Sequence, residues 1–144
     1  MKPEETVDFH LRAAWMRLSK TYNAAAAAHG GSMAMAYVLL NIDREGTLST
    51  RLGPKMGLEP TGLSRILKSL EDGGYILRKP DKDDRRKVWI HLSARGKKYR
   101  DITREYVIAL NKHLRSVIPE RDMDTFFRVI STIQHELEHI QIDY

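Results

Sequence analysis

One charged, turn-forming segment stands between two strand-forming segments, while most of the remaining chain shows helical periodicity. Residues Tyr75–Lys79 and Lys87–Leu92 contain β-branched and aromatic residues that favour strands, and the run PDKDDRR lies between them. Two short strands joined by such a turn predict one β-hairpin with a solvated, charged tip. With helices elsewhere and only a very short further strand at Thr47-Leu48, the predicted fold class is mainly α (α+β).

Glycine, proline and cap-forming residues divide the helical part of the chain into segments. Ser32 and Ser93 are predicted to cap helices, as is Ser49 for a short helix that Pro54 should delay or kink. Gly46 is predicted to end the second helix. The predicted helices cover residues 4–28, 33–43, 49–57, 60–72, 94–117 and 121–142.

The predicted order is helix, helix, short helix, helix, hairpin, helix and helix. A unit of three helices followed by a hairpin is the winged helix-turn-helix arrangement. We therefore predict a single domain over residues 1–144, with a winged helix core over about 32–95. Long helices at about 4–30 and 96–142 are predicted to flank this core and to serve in dimerisation.

Composition excludes several classes of protein. The 144 residues contain no cysteine, which excludes disulfide scaffolds, thiolate metal sites and thiol catalysis. The longest apolar run, Met33 to Leu40, is far shorter than the ~20 residues that span a bilayer. The first residues carry acids and no apolar block, unlike a signal peptide. We expect a soluble cytoplasmic protein that does not contact a membrane.

The excess positive charge is confined to one window of the sequence. The formal net charge is +5, and residues 61–100 contain 12 Lys and Arg against five Asp and Glu. The remaining 104 residues contain 12 basic and 14 acidic residues. A local basic concentration on a neutral background indicates a surface for a polyanion, most often nucleic acid. A solvated face rich in lysine would give the same count, and stays an alternative on charge alone.

The predicted helix 60–72 has one apolar face and one polar face. The apolar positions are Leu63, Ile66, Leu67 and Leu70, and the polar positions are Thr61, Ser64, Arg65 and Lys68. Hydroxyl groups near a helix N-terminus, followed by cations, suit the major groove of DNA. Gly62 would permit a close approach to the duplex. An amphipathic core helix has the same spacing and remains the alternative.

The tip of the hairpin carries a second group of cations, which we predict to enter the minor groove. They are Lys79, Lys82, Arg85, Arg86 and Lys87. The acids Asp81, Asp83 and Asp84 oppose this charge, but an acid beside an arginine can orient its guanidinium through a bidentate pair. We assign that supporting role to Asp84. A solvated turn with mutually screened charges is the alternative.

The segment from Asp84 to Gly96 resembles a signature of the MarR family: Asp, any residue, Arg, five residues, Leu-Thr, two residues, Gly. Ser93 stands where threonine is usual. Residues 57–65 resemble the family's turn into its recognition helix, and residues 73–76 resemble its link into the wing. The resemblance covers about residues 32–100.

This resemblance implies a cytoplasmic transcription regulator that binds pseudo-palindromic operator DNA as a homodimer, and we expect it to act as a repressor. It implies release by a small, often aromatic effector, and neither catalysis nor a cofactor. It places the helix 60–72 in the major groove and the wing 79–87 in the minor groove. Asp84 would support the neighbouring arginine, and Arg85 or Arg86 would reach the floor of the minor groove.

The long flanking helices carry apolar stripes that one chain cannot easily cover. Five apolar residues recur at steps of four and three in the last helix, and Val7 and Leu11 belong to a similar stripe in the first. The five are Phe126, Ile130, Ile133, Leu137 and Ile140. A symmetric dimer would bury both stripes and hold two DNA-reading helices about one turn of DNA apart, ~34–36 Å. Packing within one chain is the alternative.

An effector pocket is predicted between the first two helices and the helix that begins at residue 94. Its candidate lining residues are His10, Trp15, Met33, Met35 and Tyr37. Aromatic and methionine side chains with a few polar groups suit a small aromatic or apolar ligand. The same residues would also suit an ordinary core.

Three further interpretations remain open. His135, Glu136 and His139 fit the H-E-x-x-H pattern of a zinc hydrolase, or a metal-responsive site, although five residues leave little room for a downstream ligand. A winged helix used only for protein contacts is a second alternative, and the cationic face of helix 60–72 argues against it. Oxidation of Met16, Met33 or Met35 is a third. We expect no metal site and no enzyme.

Overall fold

The computed structural model describes residues 1–142, so the last two residues of the predicted domain lie outside the described residues. By its internal contacts the chain divides into two compact units, Met1–Tyr106 and a second unit from Val107 onward. Within the described part, every helix is too short or too polar to cross a membrane.

Six α-helices and three short strands follow one another in the described residues, after a 3-10 turn at Pro3–Glu5. In chain order they are α1 (Val7–Ala27), α2 (Met33–Asn41), β1 (Thr47–Leu48), α3 (Ser49–Met56), α4 (Pro60–Asp72), β2 (Ile76–Pro80), β3 (Val88–Leu92), α5 (Ala94–Val117) and α6 (Glu120–His139). The strands form one antiparallel sheet in the order β1-β3-β2. The predicted mainly helical, winged helix fold is confirmed.

Local chemistry explains where several helices begin and end. The Ser32 hydroxyl accepts a hydrogen bond from the backbone N–H of Met35 at 3.2 Å, and the Ser93 hydroxyl accepts one from Gly96 at 3.0 Å. Both predicted caps are therefore present. Pro60 opens α4, where its missing N–H needs no partner.

Two predicted helix ends were wrong. Helix α2 ends at Asn41, and Gly46, with a φ of 98°, lies in the turn that leads to β1. The chain leaves the helix early because the Thr47 hydroxyl accepts the backbone N–H of Asp43 at 2.9 Å and shapes that turn. Helix α6 ends at His139, so Ile140 has an extended backbone and lies beyond the helical stripe.

The start of α3 also differs from the prediction. Ser49 is the first residue of the helix, and Leu48 occupies the cap position. Pro54 lies inside the helix and does not delay its start. The end of α3 is closed instead by a bond from the N–H of Leu58 to the carbonyl of Gly53 at 3.0 Å, with Gly57 in the left-handed conformation.

The core of the first unit lies between α2, α3, α4, the sheet and the start of α5. Its most deeply buried large side chains are Val38, Leu39, Ile42, Leu52, Leu70, Ile76 and Ile90. Leu63, Leu67 and Leu70 are buried on one face of α4, as the periodicity predicted, with Ile66 packed against them. This packing fixes α4 and leaves its opposite face in solvent.

Candidate nucleic-acid interface

The outward face of α4 carries the polar side chains that the sequence predicted for DNA recognition. Thr61, Ser64, Arg65 and Lys68 are all exposed. They project from a helix held by three buried leucines, so their backbone positions are fixed by the core. The arrangement offers two hydroxyls near the helix N-terminus and two cations further along, which suits phosphates and base edges.

Gly62 lies on the same exposed side of α4. A Cβ at Gly62 would meet no atom within 4 Å, and the residue has no positive φ. The fold of the first unit therefore does not need glycine at this position. Close approach of another molecule to α4 is one circumstance that would favour glycine here.

The sequence analysis missed two internal partners of the basic residues. The Lys68 ammonium pairs with the Asp72 carboxylate at 3.1 Å, four residues along the exposed side of α4. The Arg78 guanidinium donates to Glu71 at 2.7 Å and so ties β2 to α4. Exposed pairs of this kind contribute only about 0–1 kcal/mol, so the Lys68 side chain can exchange its partner.

Arg95 has a structural role at the base of the wing. Its guanidinium donates to the carbonyl of Gly73 at 2.7 Å and lies 4.4 Å from the ring centroid of Tyr75. These contacts join the start of α5 to the end of α4. The basic window therefore contains cations that hold the fold as well as cations that are free to meet a ligand.

The hairpin between β2 and β3 forms the predicted wing. Strand β2 is displaced by one residue from its predicted bounds, and β3 begins one residue later than predicted and ends at the predicted residue. The backbone N–H of Asp81 donates to the carbonyl of Lys87 at 2.9 Å, and the N–H of Lys87 donates to that of Asp84 at 2.9 Å. Five predicted cations are exposed around this turn: Lys79, Lys82, Arg85, Arg86 and Lys87.

Asp84 supports an arginine, as predicted, and the arginine is Arg86. The guanidinium of Arg86 donates to Asp84 Oδ1 at 3.2 Å and Oδ2 at 3.5 Å, and its backbone N–H donates to Oδ1 at 3.1 Å. These hydrogen bonds from the Arg86 side chain and backbone lower the pKa of Asp84 below its ordinary value. The Arg86 side chain is 91% exposed, so its charge is oriented but not buried.

Asp81 organises the wing tip, a role that the sequence analysis did not assign. Its carboxylate accepts the indole N–H of Trp89 at 2.7 Å and the backbone N–H groups of Asp83 and Asp84 at 2.9 and 3.0 Å. The Trp89 bond, followed by the two backbone bonds, lowers the pKa of Asp81. An aspartate side chain often accepts hydrogen bonds from the backbone N–H groups two and three residues later in a turn. This role of Asp81 could therefore have been recognised from the sequence.

The candidate effector residues lie on α1 and α2. The His10 ring nitrogen Nε2 lies 2.7 Å from the carbonyl of Glu4, and Trp15 and Tyr37 are 58% and 47% exposed. Met33 and Met35 are half-buried, and Met35 packs against the core. Exposed Trp15 and Tyr37 side chains do not line an enclosed cavity in a single chain.

The second unit has a shallow polar depression lined by Glu120, Arg121, Asp124, Thr125 and Arg128.

The two histidines of the H-E-x-x-H pattern are close together in α6. Their ring centroids are 4.6 Å apart, and His139 Nδ1 lies 2.7 Å from the carbonyl oxygen of His135. The carboxylate oxygen Oε1 of Glu136 lies 3.6 Å from His135 Nδ1. Within residues 1–142, no three His, Asp or Glu side chains are grouped as a metal site would need.

Residues of the predicted dimer stripes are largely in solvent within each unit. Val7 and Leu11 of α1 are exposed, as are Phe126, Leu137 and Ile140. Ile130 and Ile133 are half-buried. Apolar side chains so exposed on long helices are typical of surfaces that a second protein chain covers.

Comparison with known proteins agrees with the resemblance seen in the sequence. Residues 32–88, from the cap of α2 to the start of β3, match the model described as "MarR family". The match spans 57 of the 144 residues, and over this part the chain resembles MarR-family transcriptional regulators with the DNA-binding winged helix fold.

The chain is also similar to proteins from several bacteria. It is 27% identical over 110 residues to the uncharacterised HTH-type transcriptional regulator YfiV of Bacillus subtilis (strain 168), covering 75% of this chain and 68% of that protein. The S. aureus MepR–DNA complex superposes with a TM-score of 0.84 at 15% identity, covering 91% of this chain and 98% of MepR. CouR from Rhodococcus jostii RHA1, bound to p-coumaroyl-CoA, superposes with a TM-score of 0.77 at 21% identity, covering 100% and 99%. These structural similarities establish the shared fold.

Proposed function

We propose that this chain is a MarR-family transcriptional regulator, which binds pseudo-palindromic operator DNA as a homodimer, acts as a repressor in the cytoplasm and is released by a small apolar or aromatic molecule. The observation that carries the proposal is the division of α4 into two faces. Three leucines anchor one face in the core, while the other face presents Thr61, Ser64, Arg65 and Lys68 to solvent.

The face of α4 fits the major groove in size and chemistry. Side chains near the N-terminal end of a recognition helix contact base edges, and Thr61 and Ser64 lie there. Arg65 follows Ser64 directly and lies one turn after Thr61, where a guanidinium can make the bidentate contact with guanine that is the commonest specific contact. Lys68, whose ion pair with Asp72 is exposed and weak, suits a phosphate.

The wing supplies the second contact. Arg86 is held by Asp84 with its guanidinium in solvent, and Arg85 lies beside it on the same turn. A narrow minor groove concentrates negative potential and attracts arginine. Fixing the Arg86 side chain before binding reduces the conformational entropy that is lost when the complex forms.

The dimer and the effector rest on different residues. Exposed apolar side chains on α1 and α6 support a two-fold association that buries them. The aromatic and methionine residues of α1 and α2 support an apolar ligand site, completed when these helices are covered by a second chain. The p-coumaroyl-CoA bound to CouR supports a ligand with an aromatic group.

Selection of DNA from a random pool tests the proposal directly. The wild-type protein should enrich duplexes with two related half-sites one helical turn apart, about 10–10.5 base pairs. Affinity for the selected duplex should fall steeply with salt, because phosphate contacts release counterions. Failure to enrich any duplex at low salt, or a monomer in sedimentation experiments, would contradict it.

A pair of matched arginine variants separates a specific interface from a general effect of charge. Arg65→Ala removes a cation from the proposed interface, and Arg12→Ala removes one from the exposed side of α1. Only the first should alter the sequence preference of the selected duplex. Equal effects of the two variants would indicate that net charge, and not α4, controls binding.

A further inference from the structure

The carboxylate of Asp81 connects the tip of the wing to the sheet beneath it. Oδ1 accepts the backbone N–H groups of Asp83 and Asp84 at 2.9 and 3.0 Å, while Oδ2 accepts the indole N–H of Trp89 at 2.7 Å. The two oxygens of one side chain thus bind two different parts of the hairpin. One part is the exposed turn, and the other is the central strand.

Trp89 is a fixed anchor for this connection. It lies in β3, the central strand, opposite Leu48 of β1 on one side and Lys79 of β2 on the other. Its neighbour Ile90 is fully buried, so alternation along the strand places the Trp89 side chain on the face away from the core. The indole therefore donates its hydrogen bond from a strand that is held on both edges.

The hydrogen bonds continue from Asp81 to the cationic tip. Asp81 binds the backbone N–H of Asp84, and the carboxylate of Asp84 binds both the backbone N–H and the guanidinium of Arg86. A continuous chain of contacts therefore runs from Trp89 through Asp81 and Asp84 to Arg86. Charge-assisted bonds of this type are the stronger ones in proteins.

Charge and geometry make opposite contributions at Asp81. A carboxylate on a surface that meets DNA weakens binding through repulsion of phosphates. The three hydrogen bonds that Asp81 accepts instead restrict an exposed turn that would otherwise sample many conformations. Neutralising this carboxylate must strengthen DNA binding if charge dominates, and weaken it if geometry dominates.

We propose that Asp81 is a positioning residue for DNA binding, which acts through Trp89 and the turn to present Arg85 and Arg86 to the minor groove. The inference rests on the proposed function, because its effect is measured in the DNA complex. It assigns to an acidic residue of the wing a favourable role in binding a polyanion.

Two isosteric variants with the same change of charge test the proposal. Asp81→Asn keeps one acceptor oxygen, so it cannot satisfy both the turn and Trp89. Asp83→Asn removes an equal charge two residues away, where the backbone N–H and not the carboxylate binds Asp81. The probe is a fluorescent duplex of about 24 base pairs selected by the wild-type protein, with affinity measured by anisotropy at one salt concentration.

We expect Asp81→Asn to weaken binding about tenfold, the scale of one hydrogen bond to a charged group. Asp83→Asn should leave affinity unchanged or raise it. Trp89→Phe, which keeps the ring and removes the donor, should weaken binding by a similar factor. The double variant Asp81→Asn with Trp89→Phe should be little weaker than either single variant, because both remove the same connection.

A spectroscopic measurement separates positioning from a general loss of structure. The chain has two tryptophans, so a Trp15→Phe background assigns the indole ¹H–¹⁵N resonance to Trp89. Asp81→Asn should move this resonance in the free protein, while Asp83→Asn should leave it in place. The remaining amide spectrum of Asp81→Asn should stay that of a folded protein.

The outcomes distinguish this inference from the proposed function. If the wild-type protein selects no duplex, both fail. If it binds a duplex and Asp81→Asn binds as tightly as Asp83→Asn, only the role of Asp81 is overturned. Weaker binding with an unmoved indole resonance would overturn the connection through Trp89.

Discussion

Gly96 in the first turn of α5 lies directly against the backbone carbonyl of Tyr75. A Cβ at Gly96 would overlap the Tyr75 carbonyl oxygen and would also lie 3.0 Å from its carbonyl carbon. The same contact region contains a 3.0 Å hydrogen bond from the N–H of Ser93 to the Tyr75 carbonyl. Close packing of α5 against the start of the wing thus requires glycine at position 96.

The substitution Gly96→Ala should therefore destabilise the protein by about 1–3 kcal/mol, the usual effect of overpacking. Gly62→Ala is a matched control, because Gly62 also lies near the start of a helix but has open space around it. That change should stabilise α4 by about 0.5–1 kcal/mol, since alanine restricts the unfolded chain and favours helix. Urea unfolding at one protein concentration measures both. A destabilised Gly62→Ala would contradict the description of that position.

Gly62→Ala also tests how closely α4 approaches DNA. If the helix lies in the major groove with Gly62 against the duplex, the variant should be more stable and yet bind the selected duplex more weakly. Opposite changes in stability and affinity would exclude a folding defect as the cause. An affinity equal to that of the wild type would place Gly62 away from the DNA.

The contribution of Arg86 to DNA affinity should depend on its orientation by Asp84 as well as on its charge. Arg86→Ala should weaken binding by about 1–3 kcal/mol and leave the dimer intact. Arg86→Lys keeps the charge but loses the two-pronged contact with Asp84, so it should recover only part of the affinity. Anisotropy and sedimentation measure the two properties. Full affinity in Arg86→Lys would show that orientation by Asp84 is unimportant.

Low pH should release the Arg86 side chain from Asp84. The lowered pKa means that the folded wing favours the carboxylate, so this stabilisation is present above the ordinary value of 3.8 and is lost as the pH falls through the lowered value. The Arg86 Nε–H resonance should report this change during an acid titration. In Asp84→Asn the corresponding change should disappear, whereas a persistent one would assign it to another group.

Most of the fold follows from local patterns, which explains why its elements were predictable. Helix α4 has the predicted bounds because Pro60 begins it and glycines follow it, and its leucines recur at helical spacing. The end of α2 was mispredicted because it depends on a hydroxyl, that of Thr47, which reaches back across a turn.

The site was predicted less completely for a related reason. Residue type and spacing identified the exposed cations and a supporting role for Asp84 beside an arginine, and the structure showed that this arginine is Arg86. The connection from Asp81 to Trp89 depends on strand register and on the face that the indole occupies. Neither the register nor the face can be inferred from two residues that are eight positions apart in the sequence. Asp81 was therefore counted only as an opposing charge.

The two cations of α4 should have different effects on DNA binding. Arg65→Ala should relax the sequence preference at one base pair, with a loss of about 1–3 kcal/mol on the preferred duplex. Lys68→Ala should lower affinity for all duplexes and reduce the salt slope by about one. Asp72→Asn, which releases Lys68 from its 3.1 Å pair, should raise affinity. Binding assays over several salt concentrations test all three, and weaker binding in Asp72→Asn would contradict the assignment of Lys68 to a phosphate.

The apolar stripe of α6 should control dimerisation. Leu137 is 67% exposed within the second unit, and burying such a side chain fully contributes about 1.5–3 kcal/mol. Leu137→Lys should therefore shift the protein towards monomer, and because two linked half-site contacts would be lost, DNA affinity should fall as well. Ser131→Lys places the same charge at an exposed position of α6 outside the stripe, and it should remain dimeric. Sedimentation velocity over a range of concentrations distinguishes them, and an unchanged dimer in Leu137→Lys would assign the interface to other residues.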